Sequence, residues 1–216
     1  MSFHHKTSRN IVSWMSVLFI IGSVCFGGAA AAFLLPSANH VRLNWVFFTG
    51  SIIFTVAGYL QLRHATNQKG QISRFFAWRP QNVGYPAALT QWIGALFFNI
   101  NTFDATLTDF SWIEGDLYIW TPNVIGSVLF LVSACYLLQE TTFRFAISDL
   151  DSCGAWINLL GCIAFMISAL CSVDLPWQVS ESVTRLALIT IALGALCFLI
   201  VSVLTLLRMG SDQMSP

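Results

Sequence analysis

The sequence predicts an all-α polytopic membrane protein: six transmembrane helices arranged as three tandem two-helix hairpins. Three observations carry this. The chain is 56% hydrophobic and only 9% charged, against about 25% charged in soluble domains. Its mean hydropathy is +0.71. It also divides into six apolar runs, each near the ~20 residues a bilayer requires.

Those runs also share a pattern. Gly50-Ser51-Ile52-Ile53-Phe54-Thr55-Val56-Ala57-Gly58 places Gly, Phe and a small residue four positions apart. The pattern recurs at Gly22–Ala30, Gly94–Thr102, Gly126–Ala134, Gly161–Ala169 and Gly194–Ser202. With 14 Gly and 18 Phe in 216 residues, chance supplies about one Gly followed four later by Phe. Six are present, ending at Phe26, Phe54, Phe98, Phe130, Phe165 and Phe198. Positions four apart share a helix face, so each run carries a notch, a knob and a second notch. Helices in lipid associate through close backbone approach and side-chain fit. The pairs Gly22/Phe26, Gly50/Phe54, Gly94/Phe98, Gly126/Phe130, Gly161/Phe165 and Gly194/Phe198 therefore read as packing positions.

Taken in order, residues 1–10 form a basic tail and 11–62 the first hairpin. The uncharged run Ile11–Leu35 exceeds the h-region of a signal peptide and carries the packing pattern, so it is read as a retained helix. Residues 63–86 form a cytoplasmic linker with Arg63, Lys69, Arg74 and Arg79 and no acid. Within it, Arg74, Phe75, Phe76, Trp78 and Arg79 suit the headgroup layer. The second hairpin covers 87–139, and its outer connection is acidic, with Asp104, Asp109, Glu114 and Asp116. A cytoplasmic loop, 140–152, the third hairpin, 153–207, and a polar tail, 208–216, complete the chain.

With the N-terminus inside, Lys6, Arg9, Arg63, Lys69, Arg74, Arg79, Arg144 and Arg208 lie on the inner side, against Arg42 and Arg185 outside. The positive-inside bias then places both termini in the cytoplasm of a plasma (inner) membrane protein. Three hairpins entering from one side are parallel repeats about an axis along the membrane normal.

The unit Gly-Ser-x-x-Phe, clearest at Gly22-Ser23-Val24-Cys25-Phe26, Gly50-Ser51-Ile52-Ile53-Phe54 and Gly126-Ser127-Val128-Leu129-Phe130, resembles the YrhK-like domain of small bacterial membrane proteins. The resemblance implies tandem copies of a two-helix unit in a bacterial integral membrane protein. It supplies no catalytic residues.

Polar groups in hydrocarbon are the default place to look for function. The third run alone has them in number: Asn99, Asn101, Thr102 and Asp104. One reading makes them interhelical glue; the other makes them a site for a small solute or ion. Asn158, near the inner end of the fifth run, is expected to be solvated or capped by a partner. The acids of the outer connection match no EF-hand spacing. The six cysteines show no Cys-x-x-Cys or Cys/His spacing, so no disulfide framework or metal site is expected. His4, His5, His40 and His64 lie in tails or loops, and no hydrolase, zincin or P-loop pattern occurs. No catalytic residue or cofactor is expected. Zero net charge argues against nucleic acid. The expected partners are the lipid bilayer and a membrane protein or second copy of the chain. The function expected is non-enzymatic association; the alternative is a conduit through the third helix.

Overall fold

The computed structural model describes residues 2–67, 78–82, 84–107, 110–141, 149–173 and 180–211. The described residues are helical: α1 (Ser2–Phe33), α2 (His40–Thr66), α3 (Tyr85–Asp104), a single turn α4 (Trp112–Glu114), a π-helical segment (Gly115–Trp120), α5 (Thr121–Glu140), α6 (Leu150–Cys171) and α7 (Glu181–Ser211). Several elements overrun the expected boundaries. Helix α1 begins within the residues expected as a tail, and α6 begins at Leu150 rather than Cys153. The acidic connection is not all loop, because Trp112 to Glu140 is continuously helical.

Five helices are long and apolar enough to cross a membrane: Arg9–Phe33, His40–Thr66, Trp112–Glu140, Leu150–Cys171 and Glu181–Met209. Helix α3 has 20 residues, about 30 Å at 1.5 Å per residue. It is less apolar because Gln91, Asn99, Asn101 and Asp104 lie within it.

Local chemistry sets the ends. The Asn39 side chain accepts from the Arg42 N–H before α2, and the Asp149 side chain from the Asp151 N–H before α6, as N-caps do. The π-helical segment ends against Pro122. Proline has no N–H to offer the preceding turn; the Thr121 N–H and hydroxyl both donate to the Asp116 carbonyl, five residues back.

The long helices form a closed ring in the order α1, α2, α3, α5, α6, α7, with α7 packed on α1. All six Gly of the pattern are buried, and the six Phe are 3–7% exposed. Large residues at other positions of the same runs, among them Ile52, Val56, Leu160 and Ile163, are exposed. Both surroundings are apolar, so fit rather than polarity decides which residue faces the core. Gly, Ala and Ser allow close approach, the Phe rings fill the notches they leave, and Ile52, Val56, Leu160 and Ile163 face outward.

Within each helix pair the Phe of one helix covers the Gly of the other. A Cβ built on Gly94 would lie 2.7 Å from the Phe130 ring, and one on Gly126 3.1 Å from Phe98. The same holds for Gly194 under Phe165, at 2.6 Å, and Gly161 under Phe198, at 3.6 Å. Gly50 lies under Phe26 at 3.1 Å, and Gly22 lies directly against Phe54. The rings also meet each other. Phe165 contacts Phe26, Phe98 and Phe198 at centroid distances of 5.9, 5.7 and 5.6 Å. Phe198 contacts Phe54 at 5.8 Å and Phe130 at 6.0 Å. Most of these pairs are edge-on, the favoured aromatic geometry.

Candidate functional site

The polar residues of α3 lie along its seam with α2 and against the π-helical segment. Asn99 Nδ2 donates to Thr55 Oγ1 at 2.9 Å. Thr102 Oγ1, 5% exposed, is 2.8 Å from Ser51 Oγ and donates to the Phe98 carbonyl at 2.7 Å. Asn101 turns the other way, and its Nδ2 donates to the Ile119 carbonyl at 2.9 Å. Asp104 is half-buried at the end of the helix. Beyond it, Asn44 Nδ2 reaches the Ala105 carbonyl at 2.5 Å.

Asn99 and Thr102 are therefore brought together as rungs between α2 and α3, while Asn101 joins α3 to the π-helical segment. Asn99 Oδ1 is buried without a hydrogen-bond partner among the described residues. Among the described residues, a cavity between the core rings is about 10 Å³, lined by Phe26, Ser51, Phe54, Ala95, Phe98, Phe130 and Phe165. That is room for one water at most.

The partners Asn44, Ser51 and Thr55 are not singled out by sequence reasoning. Ser51 belongs to the packing pattern, but its pairing with Thr102 depends on how α2 and α3 face each other. Of the two expectations for Asn158, solvent or a partner, the structure shows the second: it is 7% exposed, with its Nδ2 4.0 Å from Cys162 Sγ. Glu114 is exposed and serves a capping box: the Ser111 N–H and hydroxyl both donate to it, at 2.9 and 2.6 Å. Asp109 lies outside the described residues, as do Arg74, Phe75 and Phe76 of the basic segment. Trp78 is 76% exposed and meets the Tyr85 ring edge-on at 5.9 Å. Arg79 is half-buried, with its Nε lacking a partner among the described residues. Among the described residues no three His, Cys, Asp or Glu side chains converge on a metal-sized site.

A second feature, absent from the sequence reading, lies at one end of the bundle. A crevice of about 450 Å³ opens between the ends of α5 and α7 and the start of α6. An ion pair between Arg208 and Asp151 sits in its wall.

Removing an α3 rung has a bounded effect. Thr102→Val leaves Ser51 without its interhelical partner, and bilayer hydrogen bonds of this kind contribute about 0.6–1.7 kcal/mol. Unfolding of the reconstituted protein is expected to show a loss in that range.

Fold and site together define a helical membrane protein with a filled core, five of its helices apolar enough to cross a bilayer. Comparison with protein families, curated proteins and solved structures finds no match.

Proposed function

We propose that this chain is a six-span bundle that acts by association, with lipid or with a membrane protein or second copy, and performs no catalysis. It is built of three tandem hairpins, α1–α2, α3–α5 and α6–α7, about an axis along the membrane normal. Both termini lie in the cytoplasm of a plasma membrane protein. The resemblance to the YrhK-like unit belongs to the same reading and rests on the Gly-Ser-x-x-Phe residues alone.

Several observations support the repeat. The order of buried and exposed residues from the Gly to the Phe is the same in all six helices: buried, buried, exposed, half-buried, buried. Helix α3 follows this order, has a crossing's length and is flanked by α2 and α5. Its amides donate to protein groups, which lowers the cost of placing them in hydrocarbon.

The observation that carries the functional reading is the filled axis. A conduit needs a polar path wide enough for its solute, and the axis offers about 10 Å³ among phenylalanines. Isolation in native nanodiscs is expected to bring along a defined lipid or a protein at fixed stoichiometry; a clean, lone chain would remove the association reading. Liposomes holding the protein should pass ions no faster than empty ones. Flux that disappears in Asn101→Leu would put the conduit in its place. Tags at the two ends should be accessible from the same face of the membrane, and tags on opposite faces would rule out six crossings.

A further inference from the structure

We propose that the crevice between α5, α6 and α7 seats one phospholipid whose headgroup carries a primary ammonium, that is, a phosphatidylethanolamine. The proposal rests on the lipid-association reading above and names its lipid.

The crevice has a ligand's dimensions. Its volume of about 450 Å³ falls within the ~300–1,000 Å³ of small-molecule sites and takes a headgroup with the first part of its chains, the remainder lying in the bilayer. Its walls divide by chemistry. Leu137, Leu150, Ala155, Val201 and Leu204 are apolar, whereas Glu140, Thr141, Asp151, Thr205 and Arg208 are polar or charged. The charged residues are the last of α5, the second of α6 and one near the end of α7, so they share the polar end of the bundle. A molecule that fills the space must have a hydrocarbon part and a polar part in that arrangement.

Charge narrows the class. The Asp151–Arg208 pair presents an acceptor and a donor side by side, both about half exposed. A zwitterionic headgroup complements it, with phosphate toward Arg208 and ammonium toward Asp151. Among the described residues two acids and one base line the crevice, a negative balance that disfavours an anionic headgroup. A carboxylate accepts hydrogen bonds from a primary ammonium, but a trimethylammonium has no N–H to give. That separates phosphatidylethanolamine from phosphatidylcholine.

Gly154 supplies the test. It lines the crevice, and a Cβ built on it meets nothing within 4 Å. A larger side chain can therefore enter the space without displacing a neighbour's atoms at Cβ. Gly28 on α1 is equally open, is exposed and lies outside the crevice, so Gly28→Leu is the matched control. The whole protein is taken from bilayers of equal phosphatidylethanolamine, phosphatidylcholine and phosphatidylglycerol, and its retained lipid is weighed by native mass spectrometry. Wild type and Gly28→Leu should each keep one phosphatidylethanolamine, at least tenfold over the other two. Gly154→Leu should lose that species at least tenfold. Asp151→Asn should reduce the preference over phosphatidylcholine while leaving Gly154→Leu the more severe change. Equal retention in Gly154→Leu and wild type overturns the seat. If a protein partner or another lipid is then kept at fixed stoichiometry, the association reading survives without it; a chain isolated with neither overturns both.

Discussion

Gly94→Leu is expected to prevent assembly of the bundle, with most of the protein lost from the folded fraction after extraction. A Cβ at Gly94 would stand 2.7 Å from Phe130 Cδ1 and 3.0 Å from the Gly126 carbonyl oxygen. The ring cannot swing away, because it is packed against Phe98 at 5.0 Å and Phe198 at 6.0 Å. The carbonyl belongs to a helix backbone and moves only with the helix. Even Gly94→Ala must separate α3 from α5, and overpacking of this kind costs typically 1–3 kcal/mol. Gly28→Ala is the counterpart, since its Cβ meets nothing within 4 Å. It should stabilise by about 0.5–1 kcal/mol through helix propensity alone. Reversible unfolding in mixed micelles would order the three variants. Equal stability of Gly94→Leu and wild type would contradict the close Gly–Phe packing.

Phe165→Ala should destabilise by about 3 kcal/mol or more, near the lower end for Phe→Ala in cores. The ring is 6% exposed and touches Phe26, Phe98 and Phe198. In lipid the unfolded reference is itself apolar, so the transfer part of that cost shrinks. What remains is lost dispersion contact around a cavity that lipid cannot fill. Ile163→Ala, two residues earlier and 39% exposed, should change stability by no more than about 0.5 kcal/mol. Lipid tails close over the missing atoms there. A large effect at Ile163 and none at Phe165 would reverse the assignment of inner and outer faces.

The Gly-to-Phe spacing was legible because one side chain every four residues marks a helix face without reference to any other helix. Pro122 suits a first helical turn by its sequence alone and stands at one, but the π-helical segment behind it is a finding of the structure. The roles of the α3 polar residues were not legible in that way. Asn99 and Asn101 stand two apart, yet one bonds to Thr55 and the other to Ile119. Nothing local chooses those partners. Position along the run left Asn158 open between solvent and a partner, and burial to 7% exposure decides for the partner.

By itself the sequence determined that this chain belongs in a bilayer, that its helices carry a common Gly–Phe face, and that its amides gather on the third helix. Those are properties of composition and of helical period, which each segment holds alone. Which Phe covers which Gly, which carbonyl each amide meets, that the axis is closed, and that a crevice lies beside Asp151 and Arg208 were decided by the tertiary structure. Residues from separate helices meet only once the ring closes, and close fit between neighbours, rather than expulsion from water, selects how it closes.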